Sequence, residues 1–195
     1  CGDDEVILID AGAEFRGYAS DITRSWPISG KFTDAQREIY QIVLDAQIAA
    51  IEACHVGNLY TAPPDAARIV LAEGLIRLGV ISQSVEEALD MEHGDLKKWY
   101  MHNTSHWIGL DVHDAGVYKP GGTPRVLEPG MCLTVEPGLY FGAWRPDVDC
   151  PERYANIGIR IEDDVLITAD GPVVLTADCP KTIEDIERIV GHDLE

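Results

Sequence analysis

VILIDAGAEFRGYASDITRSWPI, residues 6 to 28, opens with an apolar run that ends in an acid and closes with a β-favouring run that has an acid near its start. VILID (6–10) reads as a buried strand, AGAEFRG (11–17) as a turn, and YASDITRSWPI (18–28) as a second strand paired with the first. The stretch is therefore expected to be a hairpin carrying Asp10 and Asp21. A carboxylate in a strand ordinarily faces solvent, and taken alone Asp21 fits that reading as well as a functional one. The rest of the chain has to decide between them.

Beyond the hairpin, FTDAQREIYQIVLDAQIAAIEACH (32–55) places Thr33 and Gln36 in capping-box spacing and then repeats Ile39, Val43, Ala46 and Ala50 with helical period. This predicts a long amphipathic helix ending near Gly57. A second helix is expected from about Pro64 to Leu78, with proline at its start and Gly79 at its end. The stretch from Ser82 to Lys98 is polar and poorly patterned, which suits short helices and loops. HNTSHWIGLDVHD (102–114) then brings three histidines together. MCLTVEPGLY (131–140) reads as a strand interrupted by a Glu-Pro-Gly turn, IGIRIEDDVLIT (157–168) as another strand, and KTIEDIERIV (181–190) as a closing helix. Strands, then helices, then strands predict an α+β fold, an antiparallel sheet covered by helices on one face.

At 195 residues with 46% hydrophobic content the chain can bury a substantial core in one domain or two pseudo-repeated halves. Its net charge of −19 repels phosphates and anionic lipid, which argues against nucleic acid or a membrane surface as partner. No apolar run approaches the roughly 20 residues that span a bilayer. Five cysteines, Cys1, Cys54, Cys132, Cys150 and Cys179, form no metal-type CxxC pair, and their irregular spacing favours a reduced, cytoplasmic setting. The chain starts on Cys1 and reaches its first strand almost at once, so it reads as a processed product or fragment.

Asp10, Asp21, Glu136 and Glu162 each sit in a predicted strand or at its end, among apolar residues. Four carboxylates gathered in one cavity would repel one another and lose hydration, so either their pKa values rise or cations neutralise them. Two divalent ions would cancel the four charges. With one imidazole added, a mostly oxygen donor set suits Mn²⁺, with Co²⁺, Zn²⁺ or Fe²⁺ as alternatives. His102 stands four residues before His106, but Asn103 occupies the place of the glutamate in HExxH, so a zincin motif is excluded.

Taken together, DAG and SDITR with their acids eleven positions apart, SHWIGLDVHD, LTVEPGLY and GIRIEDD resemble the aminopeptidase P and prolidase family of metallopeptidases, whose fold is the pita-bread fold. The resemblance covers nearly all of the chain as a C-terminal catalytic domain, 1–195, incomplete at its N-terminus. It implies five metal ligands, with Asp21 and Glu162 bridging two ions, Asp10 on one ion, and His106 and Glu136 on the other. It further implies hydrolysis of the N-terminal Xaa-Pro bond of peptides by a metal-bridging hydroxide, with Glu136 shuttling the proton. His113 would line the pocket and stabilise the tetrahedral intermediate, and His102 would be a pocket residue. Arg160 is expected to pair with Asp10 and contact substrate, with Tyr140 joining that network. Thr23 is either a ligand-contacting residue or a plain strand residue, and His55, His93 and His192 have no expected role in the chemistry. The partner would be a peptide with proline in second position, and a longer form would be a homo-oligomer. The alternatives are a prolidase-type dipeptidase and a pita-bread interaction module without catalysis.

Overall fold

In the computed structural model, which describes residues 2, 4–142, 145 and 148–191, the chain is built on antiparallel ladders backed by two packed helices. His192 and Cys1 lie outside the described residues. The expected hairpin is present, but it is broken in the middle. Strand β1 (Val6–Ala11) pairs with β4 (Ile22–Pro27), and the short β2 (Glu14–Phe15) pairs with β3 (Tyr18–Ala19). Ala11 opposite Ile22 and Glu14 opposite Ala19 belong to one register, so the gap interrupts a ladder that then resumes in step. The expectation of one continuous strand over 18–28 is corrected here: Ser20 and Asp21 fall outside both strands. Gly12 explains the break. A Cβ on Gly12 would lie 1.7 Å from the Ser20 carbonyl oxygen, so only glycine lets the two backbones approach this closely.

A second ladder repeats the device. Strand β5 (Cys132–Val135) pairs with β8 (Asp163–Thr168), and β6 (Gly138–Tyr140) pairs with β7 (Gly158–Arg160). Val135 opposite Asp163 and Gly138 opposite Arg160 again share one register. IGIRIEDDVLIT is thus two strands and not one, with Ile161 and Glu162 between them. Pro137, which has no N–H to give to a ladder, sits in the facing gap beside Glu136. Strand β9 (Gly171–Val174) closes this side against β8.

Helix α1 (Asp34–Glu52) starts on the predicted capping box: Gln36 N–H donates to Thr33 Oγ1 at 3.2 Å, and Thr33 N–H donates to Gln36 Oε1 at 2.9 Å. It ends at Glu52, earlier than Gly57. Helix α2 (Ala62–Arg77) lies against α1, with Pro63 and Pro64 in its first turn. Ile39, Tyr40, Ile42, Val43, Leu71 and Leu75 are buried with Leu133, Leu139, Ile159, Val165 and Ile167 of the ladders, forming one core. The polar stretch after α2 holds the single-turn helix α3 (Val85–Ala88) and a 3-10 turn at Asp95–Lys98, and helix α4 (Ile183–Ile189) packs beside α1. Among the described residues no helix is long and apolar enough to cross a membrane.

Candidate metal centre

Asp21, Glu136 and Glu162 sit in the two ladder breaks, and Asp10 lies beside them near the end of β1. Ser25 joins the two hairpins, its hydroxyl accepting from the Arg160 N–H at 3.1 Å and donating to the Arg160 carbonyl at 3.0 Å. The Glu162 N–H donates to the Thr23 carbonyl at 3.1 Å. Asp21 lies at the end of β4, 6% exposed, its backbone N–H held by Asp164 Oδ2 at 3.0 Å. Glu162 is 1% exposed and accepts from Thr23 Oγ1 at 2.5 Å, so Thr23 works on this acid as well as being a strand residue.

His106 comes from the loop that runs beside β5. Thr134 N–H donates to the His106 carbonyl at 3.0 Å, and the Thr134 hydroxyl receives the His106 N–H at 3.1 Å. The same hydroxyl donates to Glu136 Oε1 at 3.2 Å, which sets imidazole and carboxylate side by side. His106 Nδ1 is 3.0 Å from the Trp107 carbonyl, which can only accept, so Nδ1 donates there and Nε2 is directed the other way. Nε2 lies 3.3 Å from Glu136 Oε1 and 3.5 Å from Asp21 Oδ2. Nε2 and the two carboxyl oxygens thus surround a common gap, and a cation placed there would be within reach of all three groups. Ligand atoms of Asp21, His106 and Glu162 lie within 4.8 Å of one another. The residues present therefore fit a divalent ion.

The acids behave as a crowded group whose burial outweighs the one guanidinium beside them. Burial, then the neighbouring Glu136, pushes the Glu162 carboxyl up to about 8. Burial likewise raises Glu136 to about 7, against a lowering hydrogen bond from Thr134. Asp21 is raised by burial and by a hydrogen bond and charge from Asp10. Asp10 departs from the expected buried setting: its side chain is 48% exposed, near the end of β1, which pairs only with β4 among the described residues. It is held nonetheless, since Arg160 Nη2 donates to Asp10 Oδ2 at 2.6 Å.

Around these five, Arg160 Nη1 donates to the Tyr140 hydroxyl at 3.1 Å and its Nε to Thr23 Oγ1 at 3.1 Å. The Tyr140 hydroxyl also lies 2.7 Å from His102 Nε2, and His102 Nδ1 is 3.7 Å from Glu136 Oε2. His113 packs its ring edge-on against His106, with centroids 4.3 Å apart. All nine residues singled out from the sequence thus meet in one place, whereas His55 and His93 are exposed and apart from it. Sequence reasoning missed Thr134, Asp164, Arg24 and Asp163. The signal present was the buried run Glu162-Asp163-Asp164, too many adjacent acids for a strand inside a core.

Comparison with known proteins gives the family and the fold. The metallopeptidase family M24 model matches residues 1–169. Xaa-Pro aminopeptidase of Escherichia coli K12 is 46% identical over 188 residues, 96% of this chain and 41% of that protein. Xaa-Pro aminopeptidase 3 of Rattus norvegicus is 41% identical over 97% of this chain and 36% of its own length. Among solved structures, Pseudomonas aeruginosa aminopeptidase PepP superposes with a TM-score of 0.90 at 45% identity, covering 96% of this chain and 42% of that one. A zinc-substituted E. coli aminopeptidase P in complex with product gives 0.88 at 46% identity, over 96% and 41% of the two chains. The chain spans about two fifths of these relatives, and the shared fold is the pita-bread fold of aminopeptidase P. The chain belongs to metallopeptidase family M24.

Proposed function

We propose that this chain carries the catalytic centre of a dimetal aminopeptidase that hydrolyses the N-terminal Xaa-Pro bond of peptides. The observation that carries the reading is the convergence of Asp21, His106 and Glu162 within 4.8 Å, with Glu136 and Asp10 beside them. The names of the relatives, Xaa-Pro aminopeptidases, support the substrate class. Asp10, Asp21, His106, Glu136 and Glu162 would hold two divalent ions, Mn²⁺ by the preference of a mostly carboxylate set. When bound there, such ions would make water a nucleophile at neutral pH and polarise the scissile carbonyl.

The protein's own side chains do the rest. Glu136, beside His106 and hydrogen-bonded by the Thr134 hydroxyl, is placed to take a proton and return it to the leaving proline nitrogen. His113, in contact with His106, stabilises the oxyanion of the tetrahedral intermediate. His102, kept neutral by burial, which lowers its pKa, binds substrate beside Glu136. Arg160 orients Asp10 and Thr23 and reaches the substrate side of the site through Tyr140. A proline nitrogen has no N–H for a backbone-reading protease to grip, so a site of this kind recognises ring shape and the free amine instead.

The test is to titrate the purified chain with MnCl₂ by calorimetry and to follow release of alanine from Ala-Pro-Ala, Ala-Ala-Ala and the dipeptide Ala-Pro. Manganese binding and Mn²⁺-dependent cleavage confined to the proline peptide are expected. A chain that binds no divalent ion overturns the reading, and one that cleaves only the dipeptide Ala-Pro moves it to a dipeptidase.

A further inference from the structure

Next to Thr23 and Glu162 lies a buried ion pair that the chemistry above does not use. Arg24 of β4 is 6% exposed, yet every N–H of its guanidinium has an acceptor. Nε donates to the Pro180 carbonyl at 3.0 Å. Nη1 donates to the carbonyls of Thr23 at 2.9 Å and Glu162 at 2.6 Å. Nη2 donates to Asp163 Oδ1 at 2.7 Å and the Cys179 carbonyl at 2.8 Å. Asp163, fully buried, is equally saturated: Oδ1 also accepts from Thr176 Oγ1 at 2.7 Å, and Oδ2 from Gln47 Nε2 at 2.7 Å and Lys181 Nζ at 2.6 Å.

Removing two charges from water costs roughly what their attraction returns, so such a pair adds little to stability in itself. What it adds is geometry. One guanidinium nitrogen clasps the carbonyls of Thr23 and Glu162 at once, while the Thr23 hydroxyl holds the Glu162 carboxylate from the front. The two hairpins that bring Asp21 and Glu162 together are thereby clamped at the two residues where they meet. From this we infer that Arg24, held by Asp163, is the positioning residue of the metal centre, fixing the distance between Asp21 and Glu162. The inference rests on the metal-centre reading above.

Lysine at position 24 keeps the charge facing Asp163 but has no planar fork to span two carbonyls. The experiment is to titrate MnCl₂ into the native chain, Arg24→Lys, and Leu75→Val, a core variant in α2 remote from the site, and to record each melting temperature without metal. Arg24→Lys is expected to bind Mn²⁺ at least about tenfold more weakly, the range seen when an outer-sphere partner is lost, with Leu75→Val binding as native does. Equal Mn²⁺ affinity in native and Arg24→Lys overturns the inference while leaving the metal centre intact. A parallel loss in Leu75→Val overturns it too, since general loosening would then suffice. If the native chain binds no Mn²⁺, the metal-centre reading fails first and this one with it. Should Arg24→Lys not fold, Asp163→Asn, which keeps the shape and removes the charge that holds the guanidinium, is read against the same thresholds.

Discussion

Arg160 donates to Asp10 at 2.6 Å across 150 positions of sequence, and the same guanidinium touches Thr23 and Tyr140. Asp10 is half exposed, and an ion pair of that kind contributes about 1 kcal/mol or less to stability. Its consequence lies in orientation. Lysine reaches one of the three partners, not all, so Arg160→Lys should leave the melting temperature nearly unchanged and weaken Mn²⁺ binding by about tenfold or more. Calorimetric titration checks this; native affinity in the variant would remove Arg160 from the support of the site.

Metal should stabilise the fold. A ligand that binds only the native state adds about 2.7 kcal/mol per site at 100-fold excess over its Kd. Chelation is therefore expected to lower the melting temperature by several degrees, and MnCl₂ to restore it. A melting curve indifferent to both would count against the metal centre.

Without metal, stability should fall as pH rises. Glu136 and Glu162 bind protons more tightly in the folded chain, at about 7 and about 8, than the ordinary 4.5 of the unfolded chain. A group raised in this way contributes its full stability below the unfolded value and loses it as pH climbs through the folded one. Melting in a chelating buffer should thus drop steadily between pH 5 and pH 9. With MnCl₂ the trend should weaken or reverse, because the ion competes with those protons. A flat metal-free profile over this range would show that the acids are not crowded together.

Four acids among apolar residues were legible in the sequence, but their crowding was not, since spacing does not bring distant carboxylates together and only the family resemblance implied it. Periodicity showed α1, the Thr33 and Gln36 pair marked its start, and the proline-to-glycine asymmetry showed α2. The ladder breaks were hidden, since alternation continues in register on either side of them and only Gly12 and Pro137 mark the places. The Arg24 and Asp163 pair was hidden for another reason. Asp163 draws its partners from β4, α1, Thr176 and Lys181, and no local pattern tells a saturated buried acid from a solvated one.

Glu136→Gln separates chemistry from assembly. Removing the proton-carrying carboxylate should lower kcat for Ala-Pro-Ala at least about 100-fold. In chelating buffer at pH 8 the same change removes one charge from the crowded group, so the variant should be more stable than the native chain, on the order of 1 kcal/mol. Thermal melting gives the second result even where turnover is too slow to follow. A variant less stable than native would mean that Glu136 is held by attraction, and not strained by its neighbours.

Gly12→Ala tests whether the break in the first hairpin places Asp21. The added Cβ would meet the Ser20 carbonyl at 1.7 Å, a conflict between two backbones that no side-chain rotation relieves. Either the hairpin opens at the break or the ladder slips, and forced overpacking of this kind costs at least about 1–3 kcal/mol. Opening moves Ser20 and with it Asp21, whose N–H is tied to Asp164, so the change reaches the acids directly. The variant should therefore lose both stability and Mn²⁺ affinity, whereas Gly79→Ala, in open space at a left-handed position after α2, should lose stability alone. If Gly12→Ala melts lower but binds Mn²⁺ as tightly as native, the close approach at Gly12 serves the hairpin only, and the position of Asp21 is set from the Asp164 side.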